Sequence, residues 1–272
     1  MTSLAAGRVC LRLFSIHYTI PYTPASPQPT NPSLPPLAGT FVRPALSTFP
    51  RKPSDFSAFF WQFVRTKVSD LIARFALKWS SKPKVFARAQ LKTSRSAIVL
   101  EAKALHRAMS EALAAGDTAA LQRVCVDRLA MPLMSSIAQR PRGRRYGWEL
   151  LGYTKAPLYP RVASHKLAKM GADRDMPIIE QAVVSIASRQ RRVTYEDSGA
   201  SAATQPGRVV PGSEREADLV EHVIVTRTIN PLTWHAGEWR LFGTTKYTDP
   251  EDWKAEQEVL EQMTNPSAKL KL

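Results

Sequence analysis

The stretch "QRPRGRRYGW" contains four arginines within six residues, namely Arg140, Arg142, Arg144 and Arg145. Tyr146 and Trp148 follow directly. Guanidinium groups bind phosphate oxygens through paired hydrogen bonds, and aromatic rings can stack on unpaired bases. Arginine near a helix C-terminus also interacts favourably with the helix dipole, but four around a proline and a glycine exceed what capping requires. The pattern favours RNA binding.

A second basic group lies earlier in the chain, within "SSKPKVFARAQLKTSRSAIVLE". Its cations all precede the first acidic residue of this segment, and they are Lys82, Lys84, Arg88, Lys92 and Arg95. We expect part of this segment to be helical and to lie along phosphates. Each phosphate contact would then add to an affinity that falls with salt.

Residues that could carry catalysis are scattered. The sequence has no phosphate-cradling glycine motif, no HExxH, no CxxC and no GxSxG. His222 lies on a predicted strand, where Glu221 must point to the opposite face and cannot orient its imidazole. Asp173 and Asp175 fall in a turn flanked by Gly and Pro, where aspartate favours local hydrogen bonds. These patterns predict no enzyme, no metal site and no cofactor.

The charge of the chain is concentrated in its first part. The 272 residues carry a formal net charge of +15, and residues 1–100 hold 14 Lys or Arg against two acids. The remaining residues hold 24 against 21. This asymmetry predicts a basic extension that binds a polyanion, either nucleic acid or an anionic membrane surface, joined to a nearly neutral globular body. A solvated basic tail without a partner is the alternative.

The N-terminal residues resemble a targeting segment. Residues 1–54 contain no acid but ten of the 21 prolines, with Arg8, Arg12 and many Ser and Thr. We expect residues 1–53 to be a mitochondrial transit peptide followed by a proline-rich linker. A secretory signal is the alternative, but Arg12 interrupts its apolar run. Cys10 and Cys125 are too few for a disulfide framework, which favours a reducing compartment.

Residues 54–99 form a predicted basic helical extension. In "SDFSAFFWQFVRTKVSDLIARFALKW", apolar residues recur at steps of three and four, which predicts an amphipathic helix capped by Ser54. Basic residues flank the apolar side. The aromatic residues predicted to contact membrane lipid or a neighbouring protein are Phe56, Phe60, Phe63, Phe75 and Trp79. The alternative is a helix packed by this stripe against its own domain. No apolar run reaches the ~18 residues that a bilayer span needs.

The remaining sequence predicts helices followed by strands. Residues 100–116 form a predicted helix that ends at Gly116, and Asp117 caps a second helix in which Pro132 should cause a kink or a break. Cys125 lies on the apolar side of this helix. Four β-rich segments follow, and several of them alternate with period two. The order predicts an α+β domain over residues 100–254, with helices packed on an antiparallel sheet, and a C-terminal tail over 255–272.

Several segments of this domain resemble a known family. "HRAMSEALAAGDTAALQRVC" is similar to the helix, Gly-Asp break and second helix that open nuclear-transport-factor-two-like cone folds. "VVSIASRQRRVTYE" and "DLVEHVIVTRTINPLTWHAGEWRLFGTT" resemble the last strands of a mitochondrial branch of that fold. The branch contains the C-terminal domain of inner-membrane translocase subunit forty-four, large-subunit ribosomal protein forty-five and its fungal membrane-anchor counterpart. The Asn-Pro turn and the Trp-Arg strand look closest to the ribosomal members.

The resemblance implies a curved sheet wrapped against helices and a binding module rather than an enzyme. It implies a protein of the mitochondrial matrix, peripheral to the inner membrane, that binds mitochondrial rRNA and large-subunit ribosomal proteins near the polypeptide exit and has no small-molecule substrate. The long loop at residues 198–212 and the Arg-rich turn depart from the mammalian-type pattern. An import-motor tether, a respiratory-complex assembly factor and a small-molecule enzyme are the alternatives.

The hairpin at residues 219–245 is expected to be structural. We expect Val223, Val225, Trp239 and Leu241 to fill the core. Arg227 and Arg240 are expected to present polar groups to neighbours.

Overall fold

The computed structural model describes residues 37, 40–44, 49–50, 52–84, 86–171, 173, 175–196, 207–249 and 251. The predicted transit peptide and linker, residues 1–53, lie mostly outside these residues. The predicted tail over 255–272 lies wholly outside them, as do residues 198–206 of the long loop.

The protein has an α+β fold, as the order of sequence patterns predicts, with most of its described helices before its sheet. The helices are α1 (Pro53–Ser80), α2 (Arg95–Ala115), α3 (Thr118–Val124) and α4 (Asp127–Ala138). The strands are β1 (Arg144–Tyr153), β2 (Arg161–Lys169), β3 (Ile178–Glu196), β4 (Arg208–Val209), β5 (Arg215–Ile229) and β6 (Arg240–Thr245).

The 19-residue strand β3 organises the sheet. On one side β2 pairs with its first half and β1 with its second half, while β5 runs along the other side and β6 pairs with β5. All of these pairings are antiparallel. Because β3 has neighbours on both sides and is covered on both faces, residues 178–188 are continuously buried. A buried run of this kind loses the two-residue alternation of a half-exposed strand.

The helix boundaries follow local capping chemistry, with two corrections to the sequence expectations. Asp117 accepts a hydrogen bond from the Ala120 amide at 2.9 Å, as predicted, and Gly116 ends α2 with a left-handed φ of 77°. The next helical stretch breaks at Cys125, which forms a β-bridge with Leu241, and not at Pro132. Pro132 remains inside α4. The tertiary bridge to β6 therefore decides where the helix is interrupted.

The second correction concerns the start of α1. The helix begins at Pro53, with Lys52 rather than Ser54 in the capping position and no side-chain cap. Proline is well suited to the first helical position because its fixed φ fits the helix and its missing amide hydrogen has no partner there.

The main core lies between the α2–α4 helices and one face of the sheet. The Cys125 side chain is fully buried within it, as predicted, and burial raises the pKa of its thiol to about 12. Trp239 packs against this core from its edge. Of the four predicted core residues of the hairpin, Val223, Val225 and Leu241 are fully buried in this core, whereas Trp239 is only partly buried.

A carboxylate with no exposed surface joins three strands and α1. Glu180 of β3 accepts hydrogen bonds from Arg227 of β5 at 2.6 Å and from the Nε2 atom of His165 of β2 at 2.7 Å. The other ring nitrogen of His165 lies 3.4 Å from the guanidinium of Arg74 on α1. Because a guanidinium group can only donate, Nδ1 must accept and the ring proton sits on Nε2. Arg227 is therefore turned toward Glu180, and only a small part of its side chain remains exposed.

We predict that Glu180→Ala lowers the free energy of unfolding by about 3–5 kcal/mol, because it leaves Arg227 without its buried counter-charge. Chemical denaturation measures this change. Glu216→Ala is the matched control, since Glu216 pairs with Arg189 at 3.0 Å on an exposed surface and its loss should change stability little. Equal effects of the two substitutions would contradict the structural role of Glu180.

Candidate RNA and membrane interface

One side of α1 presents an apolar stripe to solvent. Trp61 is 68% exposed and Phe75 is 65% exposed. The stripe, which we call the α1 stripe, consists of Phe56, Phe60, Trp61, Val68, Leu71, Ile72, Phe75 and Trp79. Four of the five aromatic residues predicted to make membrane or protein contacts belong to it. The fifth, Phe63, is partly buried, with its ring centroid 5.4 Å from that of Phe41.

An adjoining side of α1 packs against the domain through polar contacts. Lys67 donates to the Ala163 carbonyl, and burial lowers the pKa of its amine despite the nearby Asp70. Asp70 is buried and accepts a hydrogen bond from Lys166 of β2 at 3.0 Å. The spacing of Lys67, Asp70 and Arg74 places them on one face of the helix. The helix therefore packs against the domain through its charged side, and its apolar side faces solvent.

Aromatic packing fixes the N-terminal end of α1. Phe59 is 1% exposed, and its ring lies 5.2 Å from Phe41 and 5.4 Å from Phe49. Sequence periodicity alone does not separate Phe59 from Phe60, since both are phenylalanines within one helical turn.

The α1 stripe has the properties of an interfacial surface. Contiguous apolar patches of this kind are rare on soluble monomers and mark sites of protein or membrane contact. Exposed Arg65 and Lys78 lie on the same helix. An apolar face with basic flanks suits an anionic bilayer surface. Among the described residues, no helix has the length and hydropathy of a membrane span.

The second basic group does not form the predicted helix. The α1 helix ends at Ser80, and the described residues between it and the N-cap Ser94, namely 81–84 and 86–93, are irregular. The buried hydroxyl of Ser81 accepts the Leu91 amide at 3.2 Å, which folds this segment back toward the end of α1. Pro83 and the lack of an apolar repeat explain the absence of a helix here.

The five cations of this group occupy different positions. The Lys82 amine lies 4.2 Å from the Trp79 ring centroid. Lys84 is exposed beside Phe86, which is fully exposed and is an aromatic residue that the sequence reasoning did not select. The sequence signal that could have identified Phe86 is its position between basic residues, because cations interleaved with an aromatic ring are common in single-strand RNA binding. Arg88 and Lys92 line a surface cleft between α1 and α2, and Arg95 is the first residue of α2.

The Arg-rich turn divides into one structural arginine and three exposed ones. Arg140 donates to the carbonyls of Leu113 and Ala114 at the end of α2 and lies 4.8 Å from the Tyr146 ring centroid. Arg140 therefore caps the C-terminus of a helix, which is the alternative role that its position near a helix end suggested. The helix that it caps is α2, not the preceding helix α4. The exposed members are Arg142, Arg144 and Arg145.

The two basic groups do not meet in the fold. Arg95 is the first residue of α2, whereas Arg140 contacts the last turn of the same helix. A helix rises 1.5 Å per residue, so the 21 residues of α2 separate the groups by about 30 Å. Two separate basic surfaces are available for contact with a large polyanion.

Two pairs, one buried and one partly exposed, carry the side-chain types of acid–base or nucleophilic chemistry. His222 lies 2.8 Å from the Ser185 hydroxyl, and Ser185 has no exposed surface. On the opposite face of the sheet His106 lies 3.1 Å from Glu221. Burial raises the pKa of Glu221, but the hydrogen bonds from His106 and Gln190 outweigh it and lower the pKa overall. The strand alternation predicted this separation of Glu221 from His222.

Within the described residues, no group of three or more His, Cys, Asp or Glu side chains has the arrangement of a metal site.

We predict that His222 makes stability depend on pH. Burial, aided by the charge of Arg161, lowers the pKa of His222 from 6.5 to about 4. The folded protein thus holds a neutral imidazole, and its stabilising contribution is complete above pH 6.5 and declines as the pH falls toward 4. Its full size is about 3 kcal/mol. Denaturant unfolding across this range should show a steeper loss for the native protein than for His222→Gln, whereas parallel profiles would contradict the prediction.

No protein-family model and no curated protein matches the chain. Among solved structures, the intermembrane space region of the chloroplast protein ARC6 is similar, with 12% identity over 57% of this chain and 96% of that chain, at a TM-score of 0.31. A TM-score of 0.31 is too low to support an argument about fold family or function.

Proposed function

We propose that the protein is a structural component of the mitochondrial large ribosomal subunit near the polypeptide exit, where it binds rRNA and helps attach the ribosome to the inner membrane for mitochondrial translation. The observation that carries this proposal is the α1 stripe, held outward by a helix that is fixed to the domain through its charged side. The family resemblance of the domain sequence supplies the ribosomal assignment.

The distribution of positive charge supports the RNA half of the proposal. The basic surfaces at the two ends of α2 contain exposed cations, including Lys84, Arg88, Lys92 and the exposed arginines of the turn. Ribosomal RNA is long enough to contact both surfaces at once. Such contacts release counterions, so attachment should weaken as salt rises.

The way in which α1 packs on the domain supports the part of the proposal that concerns attachment to the membrane. The polar contacts of Lys67, Asp70 and Arg74 fix the rotation of the helix. Burial of the α1 stripe in the bilayer interface or in a neighbouring protein would remove its apolar surface from water.

An import-motor tether or respiratory-complex assembly factor would use the same stripe without RNA. Sedimentation of detergent-solubilised mitochondria through a sucrose gradient, with and without ribonuclease and at raised salt, distinguishes these functions. Co-migration with large-subunit markers that survives moderate salt and collapses with ribonuclease is the expected result. Migration with membrane complexes that is indifferent to ribonuclease would contradict it and favour a protein-binding role.

Charge reversal of the exposed arginines tests the RNA contacts. We predict that Arg142→Glu, Arg144→Glu and Arg145→Glu together weaken co-sedimentation with the large subunit without unfolding the domain, because all three are exposed. Sedimentation at moderate salt measures the association, and circular dichroism checks the fold. Unchanged co-sedimentation would exclude this surface as an RNA contact.

Removal of the apolar side chains tests the attachment surface. We predict that Phe60→Ser, Trp61→Ser and Phe75→Ser together abolish flotation with anionic phospholipid vesicles and leave thermal unfolding nearly unchanged, because all three side chains are exposed.

The control for this experiment is Phe59→Ser. Phe59 lies in the same turn but is buried, so its loss should destabilise the protein by about 3–5 kcal/mol. If vesicle flotation of the triple variant equals that of the native protein, lipid is not the partner of the α1 stripe.

A further inference from the structure

A cleft of about 530 Å³ opens where the end of α1, the irregular segment 81–94, the start of α2 and strand β5 meet. Its volume falls within the range of small-molecule sites, and it exceeds what a single inorganic anion needs. The residues that define its chemistry are Lys78, Arg88, Lys92, Ser94, Arg227 and Trp239.

The charge of the cleft is strongly positive. Its lining contains four cationic side chains and no acidic one. The charge of Arg227 is offset by Glu180 behind it, at 2.6 Å. Lys78, Arg88 and Lys92 are exposed and therefore present their charges to an incoming anion. Three convergent cations suit a phosphate group, which offers several acceptor oxygens.

The N-terminus of α2 adds to this potential. Ser94 caps the 21-residue helix by accepting a hydrogen bond from the Ala97 amide, and it also lines the cleft. The first amide groups of a helix carry a partial positive charge that favours anions. Because Lys92 and Arg88 lie just before this cap in the chain, the dipole and the side-chain charges act at the same place.

Two planar groups stack on each other at one wall of the cleft. The guanidinium carbon of Arg227 lies 4.5 Å from the Trp239 ring centroid. Arg227 is held in this orientation by Glu180 and by the Lys92 carbonyl, which it approaches at 3.4 Å. Aromatic rings and guanidinium planes are the surfaces on which unpaired RNA bases stack. The cleft thus combines a phosphate-binding side with a base-stacking side.

We propose that this cleft binds a single unpaired nucleotide of RNA, with its phosphate among Lys78, Arg88 and Lys92 and its base against the Trp239 and Arg227 planes. The proposal rests on the RNA-binding part of the proposed function and names the form of RNA recognised. A base that is paired inside a duplex cannot expose its face to these planes. An anionic lipid headgroup would satisfy the cations but would leave the planar pair without a partner.

The test compares binding of a short fluorescent single-stranded RNA with binding of the same sequence in a blunt duplex. The test variant of the full chain is Lys78→Gln with Lys92→Gln. The control variant is Arg123→Gln with Lys169→Gln, which removes the same charge from exposed positions outside the cleft. Fluorescence anisotropy over a salt series gives affinities for each, and circular dichroism checks that both variants fold.

The cleft variant should bind single-stranded RNA about tenfold or more weakly than the control variant, because it loses two charge-assisted contacts. The slope of log affinity against log salt should be shallower by up to about 0.7, which corresponds to the loss of one phosphate contact on a single strand. Affinity for the duplex should be similar in the two variants. Trp239→Phe, which retains a smaller ring, should weaken single-strand binding less than the charge variant does.

Three results would overturn the proposal. The first is equal affinity of the cleft and control variants for single-stranded RNA. The second is an equal loss for strand and duplex, which indicates a general electrostatic contact. The third is a loss confined to flotation with anionic phospholipid vesicles, measured on the same two variants, which identifies a lipid headgroup site. In each case ribonuclease-sensitive co-sedimentation of the native protein would still support the ribosomal function, so failure of the cleft is distinguishable from failure of that function.

Discussion

The buried carboxylate of Glu180 is the group on which the functional surfaces depend. It joins His165 of β2 to Arg227 of β5 across the central strand, and His165 in turn contacts Arg74 of α1. Each member is oriented by the next, so the chain of contacts fixes both the rotation of α1 and the position of the Arg227 plane in the cleft. A buried charge tolerates little rearrangement, because any shift that separates it from its partners exposes an uncompensated charge to a low-dielectric interior.

This constraint explains why α1 shows its apolar side to solvent. A helix that packs on its own domain normally buries its apolar face. In α1 the face toward β2 contains Lys67, Asp70 and Arg74, each with a partner across the contact, while Phe59 supplies an aromatic anchor. The apolar stripe is left without a cover in the described residues. Its exposure opposes folding in water, and a lipid or protein surface would remove that cost.

The basic residues serve two different purposes that composition does not separate. Arg140 and Arg227 stabilise the fold, the first through carbonyls at the end of α2 and the second through Glu180. Arg88, Lys92 and the exposed arginines of the turn project from the domain. The first group locks elements together, and the second group is available for anions. Structural and exposed cations alternate along the chain, so composition alone does not separate them.

Local sequence patterns were sufficient to predict the α+β order, the caps at Asp117 and Gly116, the buried Cys125 and most core positions of the β5–β6 hairpin. These features depend on local periodicity and on backbone chemistry within a few residues. Tertiary structure decided the break at Cys125, the irregular path of residues 81–94, the inward turn of Arg227 and the direction of the α1 stripe. Each of these depends on partners far away in sequence, such as Leu241 for Cys125 and Glu180 for Arg227. Periodicity shows that a helix has two faces, but only the groups that meet it in three dimensions determine which face is buried.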